Sequence, residues 1–166
     1  MRLSSRLSVV AAVAIAGSDG ALWFTSQGTG IGRITTSGQV ITYFTSSGGS
    51  PQAITAGPDG ALWFTGVGSA NSIGRITTSG VITTYTAAGI DDAQGITAGP
   101  DGAVWFTNQG GNSIGRITTS ATTGKTTFIS APGAAGIPVK VVTRMATKHV
   151  IMVTKHVTTA TKHVSS

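Results

Sequence analysis

The chain has no cysteine, so disulfides and thiol chemistry are excluded and the redox compartment is left open. Charge is scarce, with 11 basic and 5 acidic side chains among 166 residues. From Lys140 onward there are five basic residues and no acidic one, while residues 1–137 carry six basic and five acidic side chains. The formal net charge of +6 is therefore a property of the tail. The body has no Lys/Arg stripe to track phosphates, which argues against nucleic acid as a partner. The tail's charge can touch acidic surfaces only in a non-specific, salt-sensitive way. A long apolar run is missing too, and Leu7–Ala16 is too short to span a membrane.

That N-terminal stretch has two readings. Arg2 and Arg6 ahead of Leu7–Ala16 resemble the charged and apolar parts of a secretory signal. Against this, Ala14-Ile-Ala-Gly17 is in register with Ile54-Thr-Ala-Gly57 and Ile96-Thr-Ala-Gly99, so cleavage near Ala14 would remove most of a strand. The register favours the strand, and with it a cytoplasmic chain; a secreted one follows if the segment is a signal.

What the chain does have is repetition. Gly-Pro-Asp-Gly-Ala-Leu-Trp-Phe-Thr at 57–65 returns at 99–107 with Val104 for the leucine, and at 17–25 with Ser18 for the proline. Ile-Gly-Arg-Ile-Thr-Thr-Ser follows each copy, at 31–37, 73–79 and 114–120, which gives a period of 40 to 42 residues. Glycine, at 24 residues, is about twice its usual share, and is read here as turn chemistry.

Each repeat holds four short segments rich in Ile, Val, Thr and aromatics, without a helical period. In the second copy they are Gln52–Ala56, Ala61–Thr65, Ser72–Thr77 and Val81–Tyr85. Pro58-Asp59-Gly60 suits a hairpin turn, and Ser79-Gly80 does similar work between the third and fourth segments. In Ala61–Thr65 one face presents Trp63 and the other Leu62 and Phe64, so both faces need cover. Four-stranded antiparallel units of this length, stacked face to face, are the blades of a β-propeller.

The fold class is thus all-β, with blades at about 12–45, 51–86 and 93–130 after an N-terminal segment 1–11. Gly136-Ile137 falls 41 residues after Gly95-Ile96, so a fourth blade is expected to begin near 135, but Pro138-Val-Lys-Val breaks the pattern. Closed propellers have about four to eight blades. An incomplete ring leaves two outer faces for self-association. The basic tail, 138–166, repeats Thr-Lys-His-Val at 147–150, 154–157 and 161–164, a seven-residue period. Its β-branched content and lack of an apolar seam argue against a coiled coil, and a disordered or weakly extended tail is expected.

Residues that recur in every blade point to structure, because a single site needs one copy. Arg33, Arg75 and Arg116 are such a set, as are Asp19, Asp59 and Asp101. Each arginine is expected to bond a turn aspartate or turn carbonyls. Trp23, Trp63 and Trp105 read as inter-blade packing, not a sugar-stacking row. Asp91-Asp92, which do not recur, form with Gln94 the best candidate site, on a loop entering a blade. Gln52, Gln94 and Asn108 are candidate rim contacts for a peptide-like small molecule. The three tail histidines would hold a metal only if the tail folded.

The order Ile-Thr-Ala-Gly-Pro-Asp-Gly-Ala-Leu-Trp-Phe-Thr, Ile-Gly-Arg-Ile-Thr-Thr-Ser-Gly, then a strand such as Val81–Tyr85, resembles a blade of the virginiamycin B lyase family over roughly 12–137. That resemblance implies a seven-bladed propeller and magnesium-dependent elimination at an ester of a cyclic depsipeptide antibiotic. It places a histidine base two residues before a blade's first Ile, with acidic residues beside it and after the Trp-Phe word. Here those base positions hold Ala12, Gln52, Gln94 and Ala135, and the position after Trp-Phe-Thr holds Ser26, Gly66 or Asn108. Asp92 alone matches an acidic position, and is the one weak candidate metal ligand.

Elimination needs a base that titrates near the working pH, which glutamine cannot supply. No cofactor is therefore expected for this chain on its own. The sequence reads as a truncated, catalytically empty streptogramin-lyase-like propeller, a binding or assembly module. The alternative is a magnesium-dependent C–O lyase active only as part of a complete propeller.

Overall fold

The computed structural model describes residues 14–26, 30–43, 50–67, 71–119, 125–130, 141–145, 147–151 and 155–158. Among them every regular element is a strand. The first sheet contains β1 (Ala14–Ala16), β2 (Leu22–Ser26), β3 (Gly30–Ile34) and β4 (Val40–Tyr43). The second contains β5 (Ser50–Ala56), β6 (Leu62–Val67), β7 (Ser72–Ile76) and β8 (Ile82–Thr86). The third contains β9 (Ala93–Ala98), β10 (Ala103–Asn108), β11 (Ser113–Thr118) and β12 (Lys125–Ser130). Each is an antiparallel meander in chain order, so every repeat is one blade and the ring is not closed.

The turn chemistry explains the register. Gly57 N–H donates to Ala61 O at 2.7 Å and Gly60 N–H to Gly57 O at 3.1 Å, with Gly60 at φ 74°. That is a three-residue hairpin loop whose last residue needs the left-handed region. In the next hairpin Thr77 does the tying: its hydroxyl accepts from Val81 N–H at 3.0 Å and pairs with Ser79 at 2.8 Å. Thr35 and Ser37 repeat this arrangement in the first blade.

The reading of glycine as turn chemistry needs one correction. Gly32, Gly74 and Gly115 lie mid-strand in β3, β7 and β11, opposite Phe24, Phe64 and Phe106. A Cβ on any of them would run into that phenylalanine ring. Glycine is there so that the ring can lie flat across the neighbouring strand.

Period-two alternation gives each blade two apolar faces, and each inner face finds a partner. Trp23, Ile31, Ile41 and Tyr43 of the first blade pack with Ile54, Leu62, Phe64, Ile76 and Ile82 of the second. Trp63, Ile73 and Tyr85 of the second pack with Ala93, Val104, Phe106 and Ile117 of the third. The pattern is one interface used twice, a Trp-Ile-Tyr face against a Leu/Val-Phe-Ile face. Trp23 stacks on Tyr43 at 5.5 Å and Trp63 on Tyr85 at 5.4 Å, which adds offset aromatic contact to the buried area.

The tail departs from expectation. In place of disorder it supplies β13 (Val141–Met145), β14 (Thr147–Ile151) and β15 (Lys155–Thr158). These add a fifth, outer strand to the third, second and first sheets in that order, pairing with β12, β8 and β4. Each blade's last strand has a free edge, and β-branched residues suit pairing with it. Lys148 pairs with Tyr85 and Lys155 with Tyr43, equivalent places in two blades, so the seven-residue step carries the chain from one outer edge to the next. No fourth blade follows within the described residues: its expected start near 135 lies outside them, and Val141–Met145 returns to the third sheet. The N-terminal signal-like segment also lies outside the described residues.

Candidate functional site

Two kinds of polar assembly emerge. The first recurs in every blade. Arg33 Nε donates to Asp19 Oδ2 at 2.7 Å, Arg75 to Asp59 at 2.6 Å and Arg116 to Asp101 at 2.6 Å. The other oxygen of each aspartate accepts an indole N–H, from Trp23 at 3.1 Å, Trp63 at 3.0 Å and Trp105 at 3.0 Å. Each guanidinium also lies over its tryptophan, 5.8 to 6.0 Å from the ring centroid. Cross-strand register makes this possible, since Trp63 faces Arg75 across β6 and β7 while the turn brings Asp59 alongside. The indole bond is the member that sequence reasoning missed, although the fixed four-residue spacing from Asp to Trp in every copy could have signalled it.

The electrostatics follow from that geometry. Hydrogen bonds from Trp105 and Arg116 hold the Asp101 carboxyl down at about 2. For Asp19 burial acts upward, but bonds from Trp23, Arg33 and the Ala21 amide outweigh it and leave the carboxyl below its ordinary value. A carboxylate held ionised by a guanidinium and an indole is a poor proton acceptor. These aspartates are fasteners.

The second assembly occurs once, around the loop entering the third blade. Asp91 Oδ1 accepts from Asn71 Nδ2 at 3.1 Å, and Asp92 Oδ1 accepts from Gln94 Nε2 at 2.6 Å. Asp92 has φ 53°, a left-handed conformation that Asp and Asn tolerate best among non-glycine residues. Asn108, only 1% exposed, accepts from Asp91 N–H at 2.7 Å and donates to Gly89 O and Ser113 Oγ. Asp91, Asp92, Gln94 and Asn108 are thus brought together, with Asn71 and Ser113 as members that sequence reasoning did not single out. Asn108 spends its amide on bonds inside the fold.

Gln52 occupies in the second blade the place of Gln94 in the third. Both sit where the first strand slips register against the second, between Pro51 and Ile54 and opposite Phe106–Asn108. Such bulges re-aim a side chain and are common beside active sites. Thr65 and Thr107 hold the bulges by accepting the amides of Ala53 and Gly95. The carbonyls of Gln52 and Gln94 accept the hydroxyls of Thr25 and Thr65 from the preceding blade, at 2.9 and 2.8 Å. The slot is a built feature, filled here by glutamine. Ala12 and Ala135 lie outside the described residues.

Magnesium favours an octahedral oxygen shell containing one or two carboxylates. Asp91 and Asp92 each have an oxygen committed to an amide donor, and no three His, Cys, Asp or Glu side chains converge among the described residues. Among the described residues, the Asp91–Asp92 loop alone does not offer the ion such a shell.

Stacked four-stranded antiparallel blades, each a meander in chain order, define an open β-propeller arc. Residues 3–158 match the Virginiamycin B lyase family, and the chain belongs to it. Selenomethionine-substituted virginiamycin B lyase from Staphylococcus aureus is similar in structure, with TM-score 0.67 and 44% identity over 73% of this chain and 41% of that one. A streptogramin B lyase structure gives TM-score 0.67 and 40% identity over 73% of this chain and 40% of that one. A catalytically inactive histidine-to-alanine variant of the Staphylococcus aureus enzyme, with quinupristin, gives TM-score 0.58 and 33% identity over 83% and 51%. The chain spans about two-fifths to one-half of the length of these lyases. A comparison with curated proteins gives no match.

Proposed function

We propose that this chain is a structural arc of a streptogramin-B-lyase-type propeller, without catalysis of its own. The observation that carries the reading is the pair of glutamines, Gln52 and Gln94, at the bulged rim position where the family resemblance implies a base. An amide neither takes nor gives a proton near neutral pH, so it can hydrogen-bond a peptide-like ligand but cannot drive an elimination. The Asp91–Asp92 loop supports the same view, because its carboxylates are tied to Asn71 and Gln94.

A second reading has its own support in the identity of 40 to 44% to two lyases over three blades. In it, the same arc serves a magnesium-dependent ring-opening once further blades complete the propeller. The test is incubation of the purified chain with a streptogramin B and magnesium, followed by mass spectrometry. The proposal expects intact cyclic antibiotic at all times. Linear product that disappears with a chelator would overturn it.

A further inference from the structure

The chain contains a built-in standard for what each blade face looks like when covered. Ile31 and Ile73 are equivalent positions in the first two blades, both 0% exposed beneath the next blade. Their counterpart Ile114 in the third blade is 40% exposed. Trp23 and Trp63 are fully buried, while Trp105 is half-buried. The opposite faces repeat the contrast: Leu62 is 1% and Val104 0% exposed, and Leu22 in the first blade is 51% exposed. Phe24 is half-buried where Phe64 and Phe106 are buried. An open hollow of about 330 Å³ on the third blade is lined by Trp105, Phe106, Ile96 and Ile114.

The two uncovered faces are therefore the two halves of the interface that the chain already forms twice internally. The third blade presents a Trp-Ile face that wants a Leu-Phe-Ile face, and the first blade presents that face. Neither is complementary to itself. The polar fastening is unfinished in the same place. Thr25 and Thr65 each donate a hydroxyl to a carbonyl of the following blade, whereas Thr107 donates to none among the described residues.

We propose that two copies of this chain associate head to tail, the Trp105–Ile114 face of each seating on the Leu22–Phe24 face of the other. Two three-blade arcs related by a two-fold axis close a six-bladed ring, within the range of blade numbers that propellers use. The pairing is heterologous, so it closes only if both contacts form. This inference concerns assembly and does not depend on the absence of catalysis.

Sedimentation or light scattering on the full chain reads the outcome directly. A particle of twice 16.6 kDa is expected. Leu22→Arg and Ile114→Arg alter exposed side chains, so each variant should keep the parent's strand-type circular dichroism as a monomer. Each should also weaken dimerisation by on the order of 30-fold or more. Mixing the two variants one to one should give more association than either variant alone but less than the parent, because one contact of the mixed pair is intact and the other carries both arginines. A parent chain that stays at 16.6 kDa, or a Leu22→Arg variant that dimerises as well as the parent, would overturn the proposal.

Discussion

The Trp63 indole N–H donates to Asp59 Oδ1 at 3.0 Å, tying the middle of a strand to the turn four residues before it. Because Arg75 takes the other oxygen at 2.6 Å, one carboxylate fixes the turn, the strand and its neighbour together. The same three residue types do this in all three blades. The repeat words are so well kept within the chain because each holds one part of this assembly.

Replacing Asp59 separates the parts. Asp59→Ala strands a buried indole N–H and an arginine and should cost about 2 kcal/mol, toward the low end for a charged bond because the pair is partly exposed. Asp59→Asn keeps an acceptor for Trp63 and should cost about half of that, roughly 1 kcal/mol. Arg75→Lys keeps the charge but loses the flat contact over Trp63, for a loss of about 0.5–1 kcal/mol. Urea midpoints of the three variants check the order; equal losses for Ala and Asn would show that the indole bond contributes nothing.

Two glycine substitutions should differ in kind. At Gly74 a methyl group meets the Phe64 ring, and Phe64 belongs to the packed cluster between the first and second blades. Gly74→Ala should therefore cost about 2–3 kcal/mol by overpacking. Gly102, at φ 72°, has open space around it, so Gly102→Ala pays only the left-handed backbone penalty of about 1 kcal/mol. Thermal unfolding of the pair distinguishes crowding from strain.

Acid should loosen the third blade's fastening in a defined window. Asp101 titrates at about 2 in the fold, against about 3.9 for an ordinary aspartate. A carboxyl lowered on folding contributes stability that is fully present above the unfolded value and is lost as pH falls through the folded one. The thermal midpoint of the parent should exceed that of Asp101→Asn from neutral pH down to about 4, and the difference should shrink between about 4 and 2. A difference that does not change with pH would mean the bonds from Trp105 and Arg116 are not charge-assisted.

Asn108 sets the loop carrying Asp91 and Asp92. With three internal bonds at 1% exposure, Asn108→Ala should cost about 2–3 kcal/mol. Hydrogen exchange should rise first at Asp91, whose amide it accepts. Unchanged protection there would show that Asn71 and the Gln109 and Gly110 amides hold the loop without Asn108.

Much of this was legible in the sequence, and the parts that were not share a cause. Hairpins such as Gly57–Ala61 are local, so Pro58-Asp59-Gly60 announces them. The two-faced strand around Trp63 is local as well, and it forces stacking. Gly74 was obscured because its reason is Phe64, a residue on the adjacent strand. The tail misled for the same reason on a larger scale: Thr147–Ile151 becomes a strand because β8 offers an edge some sixty residues earlier. At the candidate site Asp91 and Asp92 stood out as non-repeating polar residues beside Gln94, but Asn71 joins them only through the fold. The bulge at Gln52 and Gln94 is a matter of register between strands, which residue types alone do not reveal.

The central claim is that neighbouring blades bury a tryptophan face against a Leu/Val-Phe-Ile face, and one measurement addresses it most directly. In a nuclear Overhauser spectrum of the labelled chain, the Trp63 indole should show cross-peaks to Val104, Phe106 and Ile117 of the third blade and none to Ile31 or Tyr43 of the first. Cross-peaks from Trp63 to the first blade instead would reverse the assigned faces and contradict the account.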